Sequence, residues 1–118
     1  MGSVAALVER LRGEIAKAKP GETIVGRGWI ETGWPERRFP TAADLDAVSP
    51  DNPVLLRRAD GHALVVNSLA LSRAGVTGST PDPAGGEILK DAAGRPTGML
   101  IDKAMALVEP LAAQPSAE

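Results

Sequence analysis

The sequence predicts an α+β domain in which hairpins build a mostly antiparallel sheet and helices pack on one of its faces. Three observations carry this. Residues 53–66 and 87–101 each set a glycine-bearing turn between two apolar runs, the mark of a β-hairpin. An amphipathic helix opens the chain. Further helical stretches separate and follow the hairpins, in the order helix, strand, helix, hairpin, helix, hairpin, helix.

Val4, Leu7, Val8, Leu11, Ile15 and Ala18 recur at helical spacing, with Ser3 placed to cap the start and Pro20-Gly21 to end the helix. Thr23 to Ile30 begins with β-branched residues and reads as a strand. Gly26 and Gly28 inside it imply a bulge or a close backbone approach. Thr41 and Asp44 have the spacing of a capping box, which opens a short helix ended by Ser49-Pro50. The first hairpin turns at Asp60-Gly61. Asn67 then suits the N-cap of a helix from Ser68 to Ala74, with Gly75 as its stop. Residues 75–86, rich in Gly, Pro, Thr and Asp, form a loop long enough to be functional or to cover something. The second hairpin turns near Gly94. Asp102 can cap a last helix reaching about Glu109, which Pro110 stops, and residues 111–118 read as a frayed tail.

At 118 residues the chain is expected to form one domain, residues 1–118. Its formal net charge is −2 and its basic residues are scattered, so nothing resembles a nucleic-acid footprint. No apolar run approaches the ~20 residues of a membrane span. With no cysteine there is neither a disulfide framework nor a thiolate metal site, and the expected compartment is the cytoplasm.

Chemistry is sparse. His62 is the one histidine, at or beside a tight turn, where a hydrogen-bonded structural role is its simplest reading. A zinc site takes three or four His, Cys or carboxylate ligands, so no metal site and no metal cofactor are expected in this chain. Ser68, His62 and Asp60 make a triad on paper only, because Ser68 lacks the Gly-x-Ser-x-Gly setting. Trp29 and Trp34 bracket Glu31-Thr32-Gly33, and both indoles either pack on the domain or line a pocket beside it. From the residues alone the chain reads as a binding or support domain rather than a self-sufficient enzyme.

Several strings together are more specific. They are Gly28-Trp29-Ile30 with Gly33-Trp34; the run 40–54; Arg58-Ala59-Asp60-Gly61-His62-Ala63; Asn67-Ser68-Leu69-Ala70-Leu71; Pro81-Asp82-Pro83-Ala84-Gly85-Gly86; residues 91–98; and Leu100-Ile101-Asp102-Lys103-Ala104. In this order and spacing the chain resembles an internal segment of amidohydrolase family 3, the YtcJ-like proteins related to N-substituted formamide deformylase. The resemblance implies a TIM-barrel-type, metal-dependent hydrolase of amide-type C–N bonds, with a divalent metal, zinc, held by residues before and after this segment. It implies that this chain is an α+β insert of such a parent, excised from it, with the rest of the barrel as its partner. It further implies substrate-contacting roles near the site entrance for His62, Trp29, Trp34 and Asp60. The expected function is therefore an accessory domain shaping or covering the substrate site, with a stand-alone binding or oligomerisation module as the alternative. A symmetric homodimer is expected through an uncovered apolar surface, either the Trp29/Trp34 region or the last helix with Met99, Met105, Leu107 and Leu111.

Overall fold

A computed structural model describes residues 3–113. Helix α1 (Val4–Lys17) starts where Ser3 accepts a hydrogen bond from the Ala6 N–H. Strand β1 (Ile24–Trp29) follows, then α2 (Ala42–Asp46), β2 (Val54–Arg58), β3 (Ala63–Val66) and α3 (Ser68–Ala74). The second hairpin is β4 (Gly86–Lys90) and β5 (Pro96–Asp102). A 3₁₀ turn (Lys103–Leu107) and α4 (Glu109–Ala113) end the described chain. The five strands lie in the order β1-β2-β3-β5-β4. Only β1 and β2 are parallel, and α2 makes their crossover. The other pairings are antiparallel, as two hairpins require.

The α+β class holds, but helices cover both faces of the sheet rather than one. Val54, Leu56, Val65 and Met99 point into a core closed by α1 and α2. Leu55, Leu64, Val66 and Leu100 point into a second core closed by α3, the 3₁₀ turn and α4. The residues behind this are the unbroken apolar runs of β2 and β3. A strand with one wet face alternates apolar and polar side chains, whereas these do not alternate, because both sides are buried.

Local signals otherwise act as their chemistry dictates. Thr41 and Asp44 complete the capping box. Asn67 caps α3 by accepting from the Ala70 N–H, and Gly75 ends it in the left-handed region. The register slips between Arg27 and Trp29, placing the bulge at Gly28. Residues 76–85 fold against the second hairpin, where Asp82 accepts from the Ile88 N–H and the Lys90 ammonium reaches the Thr80 carbonyl.

The end of the chain differs from the expectation. Asp102 makes no side-chain cap, and the first turn after it is 3₁₀ rather than α. Pro110 does not stop a helix but sits in the first turn of α4, where its missing N–H costs nothing. Leu111, expected at the start of a frayed tail, is buried in the second core. Residues 114–118 of that tail lie outside the described residues.

Candidate functional site

The polar groups of interest gather at one end of the sheet. The carboxyl ends of the parallel strands β1 and β2 lie side by side there, joined by the Ala59 N–H donating to the Trp29 carbonyl at 2.6 Å. The tight turn 59–62 follows β2 directly. The end of β5 lies beside it, with the Asp102 N–H donating to the His62 carbonyl at 2.9 Å.

Arg58, the last residue of β2, organises this edge. Its guanidinium grips Glu31 in a two-pronged pair, Nε to Oε1 at 2.8 Å and Nη2 to Oε2 at 2.9 Å. Its remaining arm reaches the Asp60 carboxylate. The hydrogen bond from Arg58 holds the Glu31 carboxyl below its ordinary pKa, more than burial raises it. Asp60 is held low first by the His62 N–H, which donates to Oδ1 at 3.0 Å, and then by Arg58. The network therefore keeps both acids ionised and clamps the turn against β1.

His62 stands at the tip, with its side chain 74% exposed. Its Nδ1 lies 3.2 Å from Asp102 Oδ1. Asp102 adopts φ 49 and ψ −118, a conformation L side chains rarely take. That backbone brings its carboxylate to the imidazole rather than to the helix it precedes. With Nδ1–H donating to Asp102, the other ring nitrogen is left as an outward acceptor.

Beside Glu31 an open groove of about 720 Å³ runs along Trp34, Pro35 and Phe39, with Arg37 and Arg38 on its rim. Arg38 is fixed by a paired contact to Asp44 at 2.7 and 3.0 Å. Glu31 belongs to both the groove and the Arg58 network.

The four residues singled out in the sequence are thus divided. Asp60 and His62 share the exposed turn. Trp29 is 1% exposed, donates its indole N–H to the Leu56 carbonyl at 2.8 Å, and belongs to the first core. Trp34 packs on it with ring centroids 6.1 Å apart and presents one edge to the groove. The Trp29/Trp34 region is consequently core, not the uncovered surface expected of it. Of the apolar groups assigned to the last helix, Met99 is a buried residue of β5 and Leu111 is buried as well. Sequence reading missed Glu31, Arg58 and Asp102, although Arg58 and Asp102 stood inside two of the strings that carried the resemblance.

His62 and Asp102 are two donors where a zinc ion takes three or four, and among the described residues no group of three or more His, Asp or Glu could hold a metal. The residues present do not fit a hydrolytic metal without ligands from elsewhere.

Fold and edge together define a mixed α+β segment whose polar apparatus sits at the carboxyl ends of its parallel strands, where α/β proteins bind their ligands. The chain belongs to the amidohydrolase family, whose profile matches residues 1–118. It is 51% identical over 85 residues to the putative amidohydrolase YtcJ of Bacillus subtilis (strain 168), covering 72% of this chain and 16% of that protein. It is 42% identical over 89 residues to N-substituted formamide deformylase of Arthrobacter pascens, covering 75% of this chain and 16% of that one. Among solved structures it superposes on an uncharacterized metal-dependent hydrolase from Pyrococcus furiosus with TM-score 0.66 and 26% identity, over 97% of this chain and 20% of the other. The chain thus spans 16% of the length of these curated relatives.

Proposed function

We propose that this chain supplies part of the substrate-site wall of a metal-dependent amidohydrolase acting on non-peptide, amide-type C–N bonds. The observation that carries this reading is the Glu31–Arg58–Asp60 network with His62 and Asp102 at the carboxyl ends of β1 and β2, beside an open groove. Family membership and the formamide deformylase relative support the bond type. In this reading a divalent metal, zinc, and its ligands come from outside these residues and from another part of a larger enzyme.

Each residue of the chain has a physical task. Trp34 borders the groove and is backed by the buried Trp29. Arg58 locks the turn through Glu31 and Asp60, which makes all three positioning groups. His62 offers its second ring nitrogen as an acceptor to the N–H of an amide, in the tautomer whose Nδ1–H donates to Asp102. The accessory role follows, since nothing in this set activates water by itself.

Placing this chain in the frame of the Arthrobacter deformylase, in exchange for the matching segment, tests the reading. Metal-dependent deformylation by the chimera is expected. A folded, metal-loaded chimera with no turnover would overturn it.

A second reading has one observation in its favour. Both cores are closed by the chain's own helices and both indoles are buried, which suits a stand-alone binding or oligomerisation module.

A further inference from the structure

Asp60-Gly61 is the single Asp-Gly pair of the sequence, which has no Asn-Gly pair. An Asp before Gly can close on itself, because glycine has no Cβ to keep its amide nitrogen off the neighbouring carboxyl carbon. The step is intramolecular. The Gly61 nitrogen bonds to Asp60 Cγ, the amide proton and the carboxyl hydroxyl leave as water, and a five-membered imide forms. Water then opens either imide carbonyl. Opening at the backbone carbonyl of residue 60 leaves the chain running through the side chain, as an isoaspartate of unchanged mass. No oxidant, reductant or cofactor takes part.

This closure needs a protonated carboxyl, a side chain free to turn toward Gly61, and a Gly61 nitrogen free to attack. The native turn opposes each need with a specific bond. Asp60 Oδ1 accepts from the His62 N–H at 3.0 Å, and the Arg58 guanidinium takes Oδ2. These two bonds fix the direction of the carboxylate and hold it ionised, the His62 N–H contributing most. The Gly61 N–H donates to the Arg58 carbonyl at 2.8 Å, so the nitrogen is engaged as well. Arg58 is itself gripped by Glu31 at 2.8 and 2.9 Å. One residue thus restrains both reacting groups, the carboxyl through its side chain and the nitrogen through its carbonyl.

We infer that Asp60-Gly61 is a site of spontaneous isoaspartate formation, and that the Arg58 guanidinium, anchored by Glu31, keeps it closed in the folded chain. The restraint protects the polar edge. An isoaspartyl link adds one backbone atom between β2 and β3. It falls between Arg57, which pairs with Leu64, and the His62 carbonyl, which accepts from the Asp102 N–H. Both pairings depend on the tight turn, so the modification displaces His62 from Asp102. This chemistry belongs to the chain itself, whether or not the proposed hydrolase role does.

Ageing the full chain in neutral buffer, with and without guanidinium chloride, and then digesting it with trypsin tests this. The tryptic peptide ending at Arg73 holds Asp60 as its only acidic residue. Its isoaspartyl form separates by reversed-phase chromatography at unchanged mass and accepts a methyl group from an isoaspartyl methyltransferase. The folded chain is expected to form it at least about tenfold more slowly than the unfolded chain, the factor that one hydrogen bond to a charged group confers. Arg58→Ala raises the folded rate about tenfold. Glu31→Gln, which loosens Arg58 without removing it, raises the rate by less and carries the test if Arg58→Ala does not fold. Asp60→Glu cannot close the five-membered ring and forms none. Urea midpoints read by tryptophan fluorescence establish that each variant stays folded while it ages. Equal rates in the folded and unfolded wild type overturn the inference, as does an unfolded chain that forms no isoaspartate. So do folded Arg58→Ala and Glu31→Gln chains that age at the wild-type rate.

Discussion

Replacing Asn67 by alanine should unfasten the joint that sets the register of the polar edge. Asn67 is fully buried. Its Oδ1 accepts from the Val54 N–H at the start of β2 and from the Ala70 N–H in the first turn of α3, both at 3.0 Å. Its Nδ2 donates to the Asn52 carbonyl at 2.7 Å and to the Ser49 carbonyl and hydroxyl at 3.1 and 3.0 Å. Asn52 in turn holds the loop before β1 through the Lys19 and Glu22 carbonyls. One amide therefore ties the approach to β1, the start of β2 and the cap of α3. Alanine loses the cap, about 1 kcal/mol. It also leaves the Val54 N–H and the Asn52 carbonyl buried without this partner, at about 1–3 kcal/mol for such a group. With one such penalty for each of the two groups, the sum is at least about 3 kcal/mol. Urea unfolding followed by tryptophan fluorescence reads it, because both indoles are in the core. With a slope of about 1.5 kcal/mol/M for a chain this size, the midpoint should fall by about 2 M. Ser68→Ala, at an exposed position one residue on, should cost less than about 1 kcal/mol. An Asn67→Ala midpoint within about 0.5 M of wild type at an unchanged slope would refute the idea that this amide joins the three elements.

Gly98→Ala should be severely destabilising, because φ is +107 and a Cβ would lie 2.6 Å from both the Ala42 nitrogen and the Val66 carbonyl oxygen. A loss of about 3 kcal/mol or more in the same urea assay is expected, and an effect under about 1 kcal/mol would contradict the close approach of α2 to β5. Acid should destabilise the fold. The carboxyls of Glu31, Asp60 and Asp91 are held low by Arg58, the His62 N–H and the Arg95 N–H respectively. Burial raises the Asp44 carboxyl, and the hydrogen bonds from Arg38 and Thr41 together outweigh it, so it too is held low. Depressed values contribute stability that is full above the unfolded-state range of about 4 and is lost as pH falls through the lower folded-state values. Thermal melts should therefore stay flat down to about pH 5 and drop below pH 4, and a melting temperature that rises in that window would contradict the pairing. The purified chain alone should bind no stoichiometric zinc and hydrolyse no N-substituted formamide, since it offers two of the three or four ligands required. Elemental analysis and a formate-release assay check both, and one tightly held zinc per chain would be the opposing result.

The sequence carried this much because its short-range signals are local chemistry. Ser3, Thr41 with Asp44, Asn67 and Gly75 act within a few residues of themselves, so caps and stops can be placed without a tertiary structure. The turn at Asp60-Gly61 belongs to the same class, with Gly61 at φ 80. What was not legible depends on contacts far along the chain. Whether one or two faces of β2 and β3 are covered turns on where α1 and α3 land, although the unbroken runs at residues 53–56 and 63–66 already hinted at two. Arg58 finds Glu31 because parallel pairing sets the ends of β1 and β2 side by side, over a separation of 27 residues. His62 finds Asp102 through β3–β5 pairing, over 40 residues. Asp102 looked like a helix cap because Asp before an apolar stretch usually is one. Only its positive φ shows that the backbone spends its strain on turning the carboxylate toward the imidazole.

The most direct test of the proposed role is the effect of His62→Ala on the chimeric deformylase that carries this chain. If His62 contacts the substrate, kcat/KM for an N-substituted formamide should fall about tenfold while metal content and the urea midpoint stay unchanged, the cost of one polar contact to a bound amide. Asp102→Asn should lower the same parameter, because it alters the partner of Nδ1. A His62→Ala chimera with kcat/KM within about twofold of its parent, at full metal loading, would contradict the claim that this edge faces the substrate.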